Sequence, residues 1–212
     1  MNRSYLTEWV LPALAVMTAS GCGGAARSTA DFRALAARNQ QPHSEADVRF
    51  MTGMIPHHAQ AVLFAGWAET HGAGRAVGVF AARMVVAQRD EIATMQSWLT
   101  DRGEPVPPGE YVRMRMPMAG ADHQMMPGML TEGQLTEMDD ARGSDFDRLF
   151  LTYMIPHHEG ALLMVDELFE SYGGAQNDFI FKLASDIYAD QTTEIEHMRG
   201  LLADFTPGDL DP

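Results

Sequence analysis

The sequence predicts an all-α protein, a four-helix bundle made of two duplicated αα-hairpins with a long Pro- and Met-rich crossover. Three observations predict it: the chain repeats itself, its apolar residues recur at three- and four-residue steps without strand-like alternation, and glycine-bearing turns divide each copy in two. A shift of 100 positions matches Asp47, Phe50, Thr52, Met54, Ile55, Pro56, His57, His58, Ala61 and Leu63 with Asp147, Phe150, Thr152, Met154, Ile155, Pro156, His157, His158, Ala161 and Leu163. A shift of 103 pairs Ala81, Gln88, Glu91, Ile92, Met95 and Leu99 with Ala184, Gln191, Glu194, Ile195, Met198 and Leu202.

Composition sets the outer bounds. With 212 residues, 46% hydrophobic and 21% charged, the chain has enough apolar material for a sizeable core, so wholesale disorder is excluded. Its 29 acidic against 15 basic side chains give a formal charge of −14, and Lys182 is the sole lysine. A nucleic-acid surface needs clustered Lys and Arg and is excluded, whereas an acidic surface attracts cations. A single cysteine, Cys22, cannot form an internal disulfide, a thiolate zinc site or a CxxC redox pair.

The first element is an apolar run over 10–19, preceded by Arg3 and closed by Ala19-Ser20-Gly21-Cys22. It is too short to span a bilayer and reads as a signal peptide over residues 1–21. Small residues directly before a cysteine resemble a bacterial lipobox, which makes Cys22 the lipidation site and the protein extracytoplasmic and lipid-anchored. Ordinary secretion, or a soluble periplasmic protein, is the alternative. Residues 22–46 are rich in Gly, Ala, Ser, Arg and Gln and suit a tether. The folded domain then runs over 47–203, with unit one at 47–100, the crossover at 101–143 and unit two at 144–203; 204–212 is an acidic tail.

Within unit one, Met51, Met54, His58, Ala61 and Ala65 form a helical stripe that Leu151, Met154, His158, Ala161 and Val165 repeat. Turns at His71-Gly72-Ala73-Gly74 and Tyr172-Gly173-Gly174 send a second helix back in each unit. Pro56 and Pro156 fall inside the pattern. The spacing favours kinked helices capped near Asp47 and Asp147 over shorter helices that start at the prolines. The crossover stretch 101–127 holds five of the eleven prolines, and Thr131 opens a short helix toward Arg142.

Hairpin arithmetic places chemistry at one level. With the first turn centred near Ala73, His58 lies level with Gln88, and in unit two His158 falls within about one turn of Gln191 and Glu194. Met54 shares a turn with His57 and His58, and Met154 with His157 and His158, while Glu91 follows Gln88. Adjacent histidines diverge by about 100°, so one of each pair faces its own hairpin and the other the opposite unit. Imidazole is the commonest metal ligand and thioether sulfur prefers Cu(I), so the functional reading is a copper site, with silver or other metal ions left open. The crossover adds Met114, Met116, Met118, His123, Met125, Met126 and Met129, soft ligands in a proline-bearing loop. The competing reading makes His58–Glu91 and His158–Glu194 buried structural hydrogen bonds and the helical methionines core filler.

The two MIPHH motifs, Ala61 and Ala161, the Gln-x-x-Glu-Ile-x-x-Met segments at Gln88 and Gln191, and the lead-in Phe146 to Phe150 resemble the family called domain of unknown function 305. The resemblance implies a ferritin-like bundle and, for some members, exported copper binding or copper resistance. It carries metal ligation onto His57, His58, His157 and His158, and the central His-x-Met-Met-Pro-Gly-Met pattern onto His123, Met125, Met126 and Met129. Gln88, Glu91, Gln191 and Glu194 are expected behind these or as weaker ligands. No catalytic turnover is expected, and a copper chaperone or efflux system is a candidate partner. The rivals are a ferritin-like di-iron oxidase or ferroxidase, for which Glu194-Ile195-Glu196-His197 supplies half of the paired Glu-x-x-His requirement, and a metal-free interaction module.

Overall fold

The computed structural model describes residues 42–111 and 126–205. The signal peptide, Cys22, most of the expected tether, His123, Met125 and the end of the acidic tail lie outside the described residues. Among the described residues the protein is all-helical: α1 (Glu45–Gly66), a 3-10 turn (Trp67–Glu69), α2 (Arg75–Thr100), α3 (Glu132–Asp140), α4 (Ser144–Glu170) and α5 (Asp178–Ala203).

The start of α1 is built by Ser44, not Asp47. Ser44 caps the helix and Asp47, in its first turn, closes a capping box by accepting from the Ser44 N–H at 2.8 Å. Asp47 has a second task, because its Oδ1 also accepts from the Ala175 N–H at 2.8 Å, in the turn of the other half. Asp147 mirrors this. It is not a cap either: α4 begins after Gly143, and Asp147 accepts from the Gly74 N–H at 2.9 Å in the first turn. Each aspartate therefore clips the opposite half's turn.

Both α1 and α4 continue through Pro56 and Pro156, so neither proline starts its helix. Thr131 caps α3 in a capping box with Gln134, and Asn177 caps α5. The helices α1 and α4 pack together at the centre, α2 lies on α1, and α5 lies on α4.

Two apolar clusters fill the interior. One gathers Phe50, Met51, Ile55, Trp98, Val165 and Ile187; the other gathers Phe64, Met84, Phe146, Phe150, Leu151 and Met198. The first takes the early part of α1 and the late part of α4, the second the reverse, so these helices run antiparallel. Residues 126–130 of the crossover lie across the α1–α4 seam. The Gln60 amide donates to Leu130 O at 3.0 Å and accepts from Leu130 N at 2.8 Å. Gly160 leaves the room Pro127 needs, since a Cβ there would stand 1.9 Å from Pro127 O.

Candidate metal centre

All four long helices change character at one level. Large apolar side chains stop at Ile55 on α1, Met84 on α2, Met154 on α4 and Ile187 on α5, and a cluster resumes at Ala61, Ile92, Ala161 and Ile195. Into these gaps fall His57, His58, Gln88, Glu91, His157, His158, Gln191 and Glu194. The four imidazoles and both Gln amides are buried, none more than 3% exposed. A polar layer of this kind, sandwiched between apolar clusters, costs stability unless its groups find partners.

The helix geometry separates each doublet. His57 faces His157 across the α1–α4 seam, ring centroids 3.9 Å apart and planes tilted by 42°. His58 and His158 turn into their own hairpins, where Nε2 of each stands 2.8 Å from a carboxylate oxygen of Glu91 or Glu194. The His158–Glu194 contact is a formed hydrogen bond. The His58–Glu91 contact is close but poorly aligned, which leaves His58 Nε2 without a hydrogen bond.

Partners fix the tautomers. Pro127 O can only accept, so His57 Nε2, 2.9 Å away, carries the proton and Nδ1 is a bare lone pair. Glu194 does the same for His158, leaving its Nδ1 bare. Both Nδ1 atoms are buried without partners, as are His58 Nδ1, His157 Nε2, both amide atoms of Gln88 and Oε1 of Gln191. Each such group costs about 1–3 kcal/mol, and here they collect at one level of the fold.

Burial also keeps the rings of His57, His157 and His158 neutral. Desolvation, then the neighbouring His58, lowers His57 from its usual 6.5 to about 3, against the opposing Pro127 carbonyl. Burial, then His57 and His158, holds His157 well below its ordinary value. His158 is lowered by burial despite the opposing Glu194 carboxylate. Neutral imidazoles with free lone pairs are the form that binds metal.

The methionines divide. Met54 and Met154 are fully buried in the two apolar clusters, where each contributes packing. Met126 is brought against α1 by the crossover: its Sδ lies 3.7 Å from where a Gly53 Cβ would be, one turn before His57. Met129 is half-buried nearby. Among the described residues, no three His, Cys, Asp or Glu side chains converge as a ready-made metal cage. The four histidines, Gln88, Gln191, Glu91 and Glu194 are thus brought to one layer, with His58 and His158 set against carboxylates instead of gathered around a point.

Sequence reasoning missed the roles of four buried residues. Gln60 holds the crossover, and its only signal is that the repeat breaks there, with Gly160 as its counterpart. Asp47 and Asp147 match in the repeat, but their clips to the opposite turn are not visible in one dimension. His71 is more than a turn residue: it is buried against Trp67 and Phe146, with Nε2 3.0 Å from Asp139 O.

Comparison with known proteins gives the following. The family described as Domain of unknown function (DUF305) matches residues 47–202. Comparison with curated proteins finds no match. A DUF305 fragment from Deinococcus radiodurans is similar in structure, with 27% identity, 78% of this chain and 100% of that chain covered, and a TM-score of 0.64. CopM in the Cu(II)-bound form is similar with 28% identity, 76% and 97% covered, and a TM-score of 0.60. CopM in the Cu(I)-bound form gives 26% identity, 75% and 96% covered, and 0.57. CopM in a soaked Ag-bound form gives 26%, 75% and 96%, and 0.56.

Proposed function

The chain belongs to the DUF305 family, and from that premise we propose that it binds copper, with silver as a surrogate, as cargo to be sequestered or handed on. One observation carries the reading: buried imidazoles on α1 and α4 whose lone pairs lack partners collect at one level, with Gln and Glu side chains of α2 and α5 beside them. Similarity to a protein crystallised with Cu(I), Cu(II) and Ag supports the choice of metal.

The chemistry fits the donor set. Cu(I) accepts two- or three-coordinate nitrogen and sulfur shells, so it needs no cage of carboxylates. His57, His58, His157 and His158 would supply nitrogen, with Met126 and Met129 at the crossover side and Met54, Met154, His123 and Met125 as further soft donors. Glu194 would act behind His158, fixing its ring so that Nδ1 is left to the metal, with Glu91 set close against His58 and Gln88 and Gln191 beside them. All these ligands are neutral and none is a thiolate, which suits exchange over permanent retention. We read the architecture as a duplicated, ferritin-like four-helix bundle, tethered outside the cytoplasm through lipid on Cys22, with no catalytic turnover.

The test is metal analysis of protein purified from copper-supplemented cells. Copper retained through gel filtration, at about one or more ions per chain, is the expected result. Retention of iron alone, or of no metal when Cu(I) or Ag(I) is supplied, would overturn the proposal.

A further inference from the structure

The outer helices leave the polar layer within reach of solvent on one side. Between α2 and α5 runs a groove of about 900 Å³, and its lining includes Gln88, Glu91, Gln191 and Glu194. The imidazoles themselves are shut off from it, since His58 and His158 are fully buried. Glu91 and Glu194 lie between the two: each lines the groove, stands 2.8 Å from a ring, and is 18% or 24% exposed.

Charge is unevenly distributed along this groove. Arg75 and Arg83 line it toward the start of α2, while Glu91, Asp190 and Glu194 line the other part, about 12 Å from Arg83 along the helix. Asp190 stands within electrostatic reach of both Glu91 and Glu194. A second feature points to a guest there. Gln88 and Gln191 both line the groove and are 2% and 3% exposed, and three of their four amide atoms have no partner.

On the opposite side the layer is closed. Pro127 O receives the His57 N–H, Gln60 fastens Leu130, and Gly160 admits the Pro127 carbonyl. We propose that the α2–α5 groove is the route by which soft metal ions reach the histidine layer, with Glu91, Asp190 and Glu194 capturing the cation and Gln88 and Gln191 coordinating it in transit. This inference rests on the copper-binding reading and adds where the ion passes. Carboxylate and amide oxygens hold a soft ion weakly, while imidazole and thioether hold it well, so transfer inward is downhill. The acidic end also raises the local cation concentration and hence the association rate.

The experiment measures loading rate and equilibrium affinity separately on the full-length protein. A chromogenic Cu(I)–chelator complex is mixed with excess protein, loss of colour gives the rate, and the end point of a titration gives the affinity. The groove is filled with Ala87→Trp plus Thr193→Trp, both exposed positions on its walls, and one acid is removed with Asp190→Asn. Leu163→Trp, on an exposed face of α4 outside the groove lining, serves as control, and circular dichroism verifies the fold. The filled variant is expected to load about tenfold or more slowly and Asp190→Asn about two- to fivefold more slowly, with affinities within about twofold of the parent. Loading of the filled variant at the parent's rate overturns the access route while leaving metal binding intact. A parent protein that takes no Cu(I) at all overturns the copper reading and this inference with it.

Discussion

His57 shows most plainly how burial sets chemistry here. Its ring is fully buried, one nitrogen is committed to Pro127 O, and the other has nothing to bond. A ring titrating near 3 in the folded protein and near 6.5 in the unfolded chain has a definite linkage sign. Between those values the unfolded state binds the extra proton, so stability rises with pH through that window and is lost as pH falls through it. His157 and His158 are lowered in the same direction and add to the effect. The expected outcome is a fall in unfolding free energy of several kcal/mol between about pH 6.5 and pH 3, read by denaturant titration of the metal-free protein. The replacement His57→Phe, which cannot titrate, should flatten part of that slope; an unchanged slope contradicts the assignment. Individual residue roles were only partly legible in the sequence. The histidine doublets stood out because they recur, but the partner that fixes His57 comes from 70 residues away in the crossover, where no periodicity applies.

At the scale of elements, the sequence carried the helices and their turns because local physics governs them. Apolar stripes at helical spacing and glycine turns needed no tertiary information, and Thr131 opens α3 as its hydroxyl predicts. The caps of α1 and α4 did not follow. Asp47 and Asp147 look like caps, but their carboxylates are drawn to turn N–H groups of the opposite half, a long-range demand that local propensity does not encode. The crossover's seat was equally hidden, although the break in the repeat at Gln60 and Gly160 marks where it lies. That seat yields a direct prediction. Gly160→Ala drives a methyl into the Pro127 carbonyl, so it should cost about 1–3 kcal/mol and lower the melting temperature by several degrees. It should also speed amide exchange at Leu130, whose N–H is held by Gln60. A melting temperature equal to the parent's would show that the crossover is not seated there.

At the scale of the whole molecule, α1 and α4 run antiparallel at the centre, their aspartates clip opposite turns, and two apolar clusters enclose a histidine layer. The repeat in the sequence made the all-helical class legible, since the same pattern twice in register constrains the fold far more than either copy alone. The convergence of both units on one layer was reachable by hairpin arithmetic: the His58–Glu91 contact falls within a turn of where that arithmetic points, and the His158–Glu194 contact about one and a half turns from it. The groove was not legible, because the gap between α2 and α5 depends on how closely the outer helices approach. Stability and use oppose one another in this arrangement: the unpartnered nitrogens weaken the metal-free fold, and an ion that satisfies them would strengthen it by mass action.

The most direct measurement is X-ray absorption at the copper edge on Cu(I)-loaded protein, with His58→Ala plus His158→Ala compared against the parent. The account predicts imidazole nitrogen in the parent's copper shell, and its reduction in the double variant together with an affinity lower by more than about tenfold. A parent shell built from sulfur alone, with the double variant binding as tightly as the parent, would contradict it.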